Sequence, residues 1–332
     1  MTVDKPAFLC LDLQNTGSIE LSDTVVAIGN FDGMHTGHQC VLQTAIDIAR
    51  DKGLNCYALS FEPHPRTLFR PDSPVFRLTP EADKARVMKA FGLDGLLVLP
   101  FTKELANTSA EDFINQHLIG AAGVRHVVTG FNFHFGKERK GSPEFLAESG
   151  KTLGFDVTIV EAQDDEEGEL VSSSRIRRLL GEGDCVAASE LLGHRWSVSG
   201  EVIKGQQIGR TLGYPTANIK LPASHHLAHG IYAVKLRRQD GSLHDGVASY
   251  GRRPTFDEGE ALLETYVFDF SDDLYGEEIS VSLFEYLRGE EKFDHVEDLI
   301  KQMDRDASLA RDILCACEPL SKLDQKLNFE QA

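Results

Sequence analysis

Gly29-Asn30-Phe31-Asp32-Gly33-Met34-His35-Thr36-Gly37-His38 is the stretch whose reading decides the fold of the first half of this chain. It follows Val25-Val26-Ala27-Ile28, a β-branched run suited to a buried strand. It precedes a segment in which Val41, Leu42, Ala45, Ile46 and Ala49 recur at helical spacing. The turn therefore stands at the carboxyl end of a strand and the amino end of a helix. Glycines let backbone approach an anion closely, and the unpaired N–H groups of a first helical turn add a partial positive field. His35 and His38 can donate hydrogen bonds to phosphoryl oxygens, so the turn reads as a nucleotide phosphate site. The competing reading is a glycine-rich connection whose histidines are solvated or satisfied in the core.

Outward from this turn, short apolar runs alternate with helical patterns, which yields a parallel sheet covered by helices. Strands are predicted at Cys56–Phe61, Leu96–Leu99, His126–Thr129 and Val157–Val160. Helices are predicted at Glu81–Phe91, stopped by Gly92, and from Ala110 to Leu118 with Ser109 as cap. The acidic stretch 163–169 reads as a solvated loop. A short helix from Asp184 to Leu192 ends at Gly193, and the pattern then changes to period two. Trp196, Val198 and Val202 share one parity, as do Tyr232, Val234 and Leu236, and glycine-bounded alternation continues to about residue 287. That pattern predicts an antiparallel barrel or sandwich, closed by a last helix beginning near Asp294 with Glu297 three residues on. The boundary is placed near 190, dividing the chain into 1–190 and 191–332.

The 332 residues suffice for two cores. With 34 Lys and Arg against 52 Asp and Glu, the net charge of -18 argues against nucleic acid or an anionic membrane as the main partner. No apolar run reaches the ~18 residues that span a bilayer, and there is no export signal, so a cytoplasmic location is expected. The six cysteines show neither metal spacing nor a disulfide framework and are expected to be reduced.

Further stretches carry chemistry. Phe61-Glu62-Pro63-His64-Pro65 is a stiff turn after a strand. Gly130-Phe131-Asn132-Phe133-His134-Phe135-Gly136 sets three aromatics and an amide between glycines, a composition for a flat heteroaromatic ring or a local apolar cluster. Ser172-Ser173-Ser174-Arg175-Ile176-Arg177 offers cap hydroxyls and fixed positive charge before a helix, either for phosphate or as an ordinary capped surface helix. Leu262, Glu264, Tyr266, Phe268 and Phe270 alternate, placing one carboxylate on an otherwise apolar face. Such a group must be paired, bonded or functional, and its surroundings suit a general base as well as a barrel-end salt bridge. His225, His226 and His229 precede a glycine and a strand and read as a surface loop.

The His-x-Gly-His spacing resembles the signature of the nucleotidylyltransferase superfamily. The wider order of motifs resembles the bacterial bifunctional riboflavin kinase/FAD synthetase family across both halves. Gly209-Arg210-Thr211-Leu212-Gly213-Tyr214-Pro215-Thr216-Ala217-Asn218, then Gly230–Val234, Arg253–Phe256, Glu264 and Asp273–Gly276, follow that family's kinase order. The resemblance implies a Rossmann-like α/β nucleotidylyltransferase domain followed by an antiparallel β-barrel kinase domain with a C-terminal helix. It implies riboflavin, FMN, FAD and ATP as substrates or products, with Mg²⁺. His35 and His38 correspond to catalytic positions of adenylyl transfer, and Glu264 to the base of the kinase. Gly29, Phe31, Asp32, Gly33, Gly37, Pro63, His64, Asn132, Ser174, Arg177, Gly213, Pro215 and Arg288 correspond to nucleotide- or flavin-binding positions, and Thr216 and Asn218 to Mg²⁺ ligands. Ser174 stands where the family often has Thr, Ser249-Tyr250 where it usually has Asn-Ile or a similar pair, and Gln206-Gln207-Ile208 where Arg is common. A kinase with an inactive first domain and a non-catalytic flavin sensor are the alternatives. Assembly into a homo-oligomer is left open.

Overall fold

The computed structural model describes residues 8–15, 19–165, 168–205, 209, 212–222, 224–252 and 261–331. By their contacts they form two units. One runs up to Val75 and resumes at Thr79–Ser172; the other comprises Phe76–Leu78 and the chain from Ser173 onward.

The first unit is a parallel sheet with helical connections. Its elements are β1 (Leu9–Asp12), β2 (Thr24–Ile28), α1 (Thr36–Lys52), β3 (Asn55–Glu62), α2 (Pro65–Phe69), α3 (Glu81–Phe91), β4 (Gly95–Pro100), α4 (Lys103–Ala106), α5 (Ala110–Phe113), β5 (Val124–Gly130), α6 (Pro143–Leu153) and β6 (Asp156–Val160). The strand order is β1-β4-β3-β2-β5-β6. The chain moves outward from β2 to β3 and β4, then returns to β5 on the other side of β2. This reversal makes the carboxyl end of β2 a topological switch point, where ligands bind in such sheets. Val26, Ile28, Leu59, Leu97, Leu99 and Val127 are essentially fully buried, each stabilising the unit by roughly 1.5–3 kcal/mol relative to exposure.

The predicted helix over Glu81–Phe91 is present with those bounds, whereas the one predicted from Ala110 differs. Ser109 Oγ accepts the Asp112 N–H as expected, but after α5 the backbone widens into a π-helical segment over Ile114–Ala121. The edge strand β1 escapes a sequence reading because it is four residues long and only half-buried on alternate positions.

The second unit contains α7 (Ser173–Glu182), α8 (Cys185–Leu192), β7 (Ser197–Glu201), β8 (Thr216–Lys220), β9 (Gly230–Arg237), β10 (Leu243–Arg252), β11 (Ala261–Val267), β12 (Glu278–Arg288), α9 (Val296–Ala316) and α10 (Lys322–Asn328). The strands form an antiparallel sheet in the order β7-β12-β9-β10-β11-β8. Ile203, just past β7, donates its N–H to Asn218 O in β8 at 2.9 Å, so the sheet is a nearly closed barrel. Trp196, Val198, Val202, Tyr232, Val234 and Leu236 are all buried, as their parity predicts.

Three expectations are corrected. In β11 the more buried parity is Ala261, Leu263, Thr265 and Val267, while Glu264 and Tyr266 are half-buried and Phe268 and Phe270 lie beyond the strand. The last long helix starts at Val296 with His295 as a cap that makes no side-chain hydrogen bond, so the pattern beginning at Asp294 does not act as a capping box. The additional helix α10 follows it. Asp324, with no solvent exposure, accepts the backbone N–H groups of Arg195 and Leu320, pairs with the Arg195 guanidinium and accepts Asn328 Nδ2, which docks this helix.

His225 is the third correction, because it is buried at 7% exposure and not on a surface loop. Its ring lies 4.4 Å from Phe76 and 5.9 Å from Trp196. Its pKa is pushed down to about 4, first by burial and second by His226. The folded protein thus keeps His225 neutral where the unfolded chain, with a pKa near 6.5, takes up a proton. Stability is expected to fall by about 3 kcal/mol as pH drops from 6.5 to about 4. Urea midpoints across this range should drop less steeply for His225→Gln than for the wild type. Parallel curves would refute the linkage.

Candidate active sites

The register of the first sheet brings three of the sequence stretches together. Ile28 at the end of β2 pairs with Leu59 in β3 and with Thr129 in β5. The 29–38 turn, the Glu62–His64 segment and the Phe131–His134 loop therefore leave adjacent strands on one edge.

Within the turn, Phe31 and Met34 hold left-handed backbone at φ 47° and 46°, which costs about 1 kcal/mol each. Burial of both side chains offsets this strain, for Phe31 and Met34 are at most 1% exposed. Asp32, at 2% exposure, accepts the Thr79 N–H at 3.0 Å, and Thr79 Oγ1 in turn accepts the Gly33 N–H at 2.8 Å. Phe31 and Asp32 thus shape the turn from inside. His35 caps α1, its Nδ1 accepting the His38 N–H at 3.4 Å. The two imidazoles stack with centroids 3.6 Å apart, and Phe31 meets His38 edge-on at 5.5 Å. Gly37 leaves room for this stack, since a Cβ there would lie 3.3 Å from the His35 ring.

His38 is half-buried, and its Nδ1 is buried with no hydrogen-bond partner among the described residues. A cost of this kind is tolerated at functional positions. Burial holds its pKa well below the usual imidazole value, with the charges of His35 and Lys84 acting in the same direction. The result is a pair of imidazoles, one of them held neutral, at the amino terminus of a 17-residue helix whose first N–H groups have no intrahelical acceptors.

The other stretches fall as follows. Pro63 is exposed, and His64 caps α2 by accepting the Arg66 N–H at 3.2 Å. Of the three loop aromatics, Phe133 and Phe135 stack at 5.6 Å and join the core, whereas Phe131 is 40% exposed beside exposed Asn132. Phe69 at the end of α2 is 66% exposed, a second open aromatic that the sequence reading missed. Ser174 is exposed on α7, and Arg177 on the same helix donates Nε to Phe76 O at 2.5 Å. Both belong by contacts to the second unit.

In the barrel, Asn218 in β8 stands opposite Glu264 in β11, which stands opposite Ser249 in β10. Directly opposed residues on antiparallel strands share a face with Cβ atoms about 4.5–5.5 Å apart. The candidate base therefore lies between an amide and a hydroxyl, and the row continues to Ile231 in β9 and Arg288 in β12. Thr216, two residues before Asn218, adds its Oγ1 at 3.5 Å from Asn218 Oδ1. Gly205 lies close against this amide, for a Cβ there would come within 2.5 Å of Asn218 Nδ2 and displace it. Neutral oxygens beside a carboxylate fit Mg²⁺, which takes hard oxygen ligands from one or two protein groups and completes its shell with water and phosphate.

Helix α9 braces both sides of this row. Tyr214, in the loop before β8 with Gly213 and Pro215, donates its hydroxyl to Asp304, and burial together with that carboxylate pushes its pKa up to about 12. Arg288 forks onto Asp306 at 3.0 and 2.6 Å, and Gln302 Nε2 donates to the same carboxylate at 2.9 Å. Sequence reasoning missed Asp304 and Asp306, since nothing local distinguishes them from other acids of an amphipathic helix. Gln206–Ile208, Arg210, Thr211 and Arg253–Phe256 lie outside the described residues.

Fold and site together define a class: a doubly wound parallel α/β unit with two stacked imidazoles at a strand-turn-helix junction, joined in one chain to a nearly closed antiparallel barrel bearing an acid beside an amide. Family models agree with this division, FAD synthetase matching residues 18–175 and riboflavin kinase matching residues 192–314. The chain is 40% identical over 285 residues to a bifunctional riboflavin kinase/FMN adenylyltransferase of Listeria monocytogenes, covering 85% of this chain and 90% of that one. It is 34% identical to the Escherichia coli K12 protein of the same description, covering 92% and 98%. A solved structure described as a macrolide-efflux protein from Streptococcus pneumoniae superposes with a TM-score of 0.78 at 32% identity, covering 92% of this chain and 99% of that one. That description speaks of efflux, yet among the described residues no helix is long and apolar enough to cross a membrane. The chain belongs to the bifunctional riboflavin kinase/FMN adenylyltransferase family.

Proposed function

We propose that this chain makes FAD from riboflavin in two ATP-dependent steps. In the barrel the riboflavin 5′-hydroxyl attacks the γ-phosphorus of ATP, giving FMN and ADP. In the α/β unit an FMN phosphate oxygen attacks the α-phosphorus of a second ATP, giving FAD and pyrophosphate. The observation that carries the reading is the occurrence, within one family-matched chain, of Glu264 opposite Asn218 and of stacked His35 and His38 at the start of α1.

Glu264 is the general base that accepts the hydroxyl proton. Thr216 and Asn218 oxygens would hold Mg²⁺, whose charge would offset that of the phosphates. Gly213 and Pro215 shape the adjoining loop, and Arg288 lies on the flavin side of the row. In the first unit, negative charge grows on the α-phosphoryl oxygens, and preorganised donors stabilise it. His35, His38 and the first turn of α1 supply them. Gly29, Gly33 and Gly37 admit the phosphate chain to the backbone, with Phe31 and Asp32 holding the turn in shape. Pro63 and His64 form a loop wall, and Asn132 reads the edge of a heteroaromatic ring. On α7 the hydroxyl of Ser174 and the guanidinium of Arg177 are groups suited to phosphate. The functional division is 1–190 and 191–332, the location cytoplasmic, and assembly into a homo-oligomer is compatible with the reading.

Incubation with riboflavin and MgATP should yield FMN and then FAD, with ADP and pyrophosphate, when products are separated by chromatography. FMN without FAD, even when FMN is supplied, would reduce the chain to a kinase. Bound flavin with no ATP consumed would end the reading.

A further inference from the structure

Lys84 is 1% exposed although it sits in a helix with solvent on its other side. On α3 it shares a face with buried Val87 and Met88, where an aliphatic residue would serve packing better. Its Nζ donates to Ser60 Oγ at 2.7 Å and pairs with Glu62 Oε1 at 2.9 Å. Ser60 passes the chain onward, its hydroxyl donating to Asn30 O at 3.1 Å. A single buried ammonium thus reaches the end of β3, immediately before Pro63 and His64, and the Gly29–His38 turn. A buried ion pair is weak grounds for stability, since well-packed apolar groups of similar volume do as well or better. Its retention asks for another reason.

We propose that Lys84 is a positioning residue for adenylyl transfer, fixing through Ser60, Glu62 and Asn30 the relative placement of the histidine turn and the Glu62–His64 segment. This rests on the adenylyltransferase reading of the first unit. Displacement of reacting groups by about 1 Å can cost 10²-fold in rate, so a rigid tie between two loops facing one nucleotide has a direct kinetic effect. The ammonium also contributes to the low basicity of His38. The charged or titratable groups acting there are His35 from the turn and Lys84 from α3, with Glu62 from β3 balancing Lys84. Removing the positive charge lets His38 take up a proton at higher pH.

Lys84→Met is expected to lower kcat for FMN to FAD by about 10²-fold, while riboflavin phosphorylation by the same protein is retained. The acidic limb of its adenylylation pH profile should move to higher pH, which a purely structural loss would not cause. Because Lys84→Met also takes from Glu62 its ion pair at 2.9 Å, Ser60→Ala provides a second variant that keeps the Lys84–Glu62 pair and cuts the link to Asn30. It is expected to lower the same kcat by about 10-fold without moving the pH limb. If the wild type makes no FAD from FMN, the reading of the unit fails. If the wild type makes FAD and Ser60→Ala does so at the wild-type rate, or a folded Lys84→Met keeps rate and pH profile, the positioning role is overturned and that reading stands.

Discussion

Replacing Glu264 by Gln is expected to lower riboflavin phosphorylation by roughly 10²–10⁴-fold, the range that a general base contributes, while FMN adenylylation is unchanged within error. The substitution keeps the shape of the side chain and its place opposite Asn218 and Ser249, but removes the carboxylate proposed to accept the hydroxyl proton. The position is half-buried and an amide of the same size fills the same space, so a thermal-denaturation curve of the variant is measured beside its activity. The measurement is product formation from riboflavin and from FMN in parallel reactions with MgATP. Undiminished FMN formation would remove Glu264 from the chemistry. Loss of both activities in a folded protein would show that the two reactions do not use the separate residues assigned to them.

The converse holds for His38→Ala, which should lower FAD formation from FMN by about 10²–10³-fold, comparable to loss of one preorganised donor to a developing oxyanion. His38 is suited to that task because its ring is fixed by stacking on His35 and by the edge of Phe31, and because it stays neutral below the usual imidazole range. A side chain already in place loses little order when the transition state forms. The variant also opens space beside Phe31, so thermal stability should be measured with activity. A folded His38→Ala that retains FAD synthesis would leave helix α1 as the principal source of stabilisation and would refute the imidazole's part.

Much of the geometry of the candidate site was legible because its parts are local. The 29–38 turn carries its glycines, its imidazoles and its helix start within ten residues, and each acts through near neighbours: His35 caps the helix it precedes, and Gly37 makes room for the ring two positions back. The period-two runs of the second half likewise announce strands, since Tyr232, Val234 and Leu236 are sorted by burial alone. Parity failed at β11, where both faces are covered to some degree and the more buried set is Leu263 and Thr265, not the set containing Glu264. Period two distinguishes two faces only when one of them meets water.

Other assignments needed the folded chain. Thr79 braces Asp32 across 47 positions, Lys84 reaches Glu62 across 22, and Tyr214 meets Asp304 across 90. Each is an ordinary residue in its own surroundings. From the amino-acid order alone came the alternation of strand and helix, the later change to period two, and the glycine-histidine turn between β2 and α1, because these depend on backbone preference and side-chain spacing over a few residues, whereas the roles proposed beside β8 came from the family resemblance. Only tertiary structure decided which side chains brace the turn and the barrel row, because a hydrogen bond between distant segments exists only once the sheet has set their register.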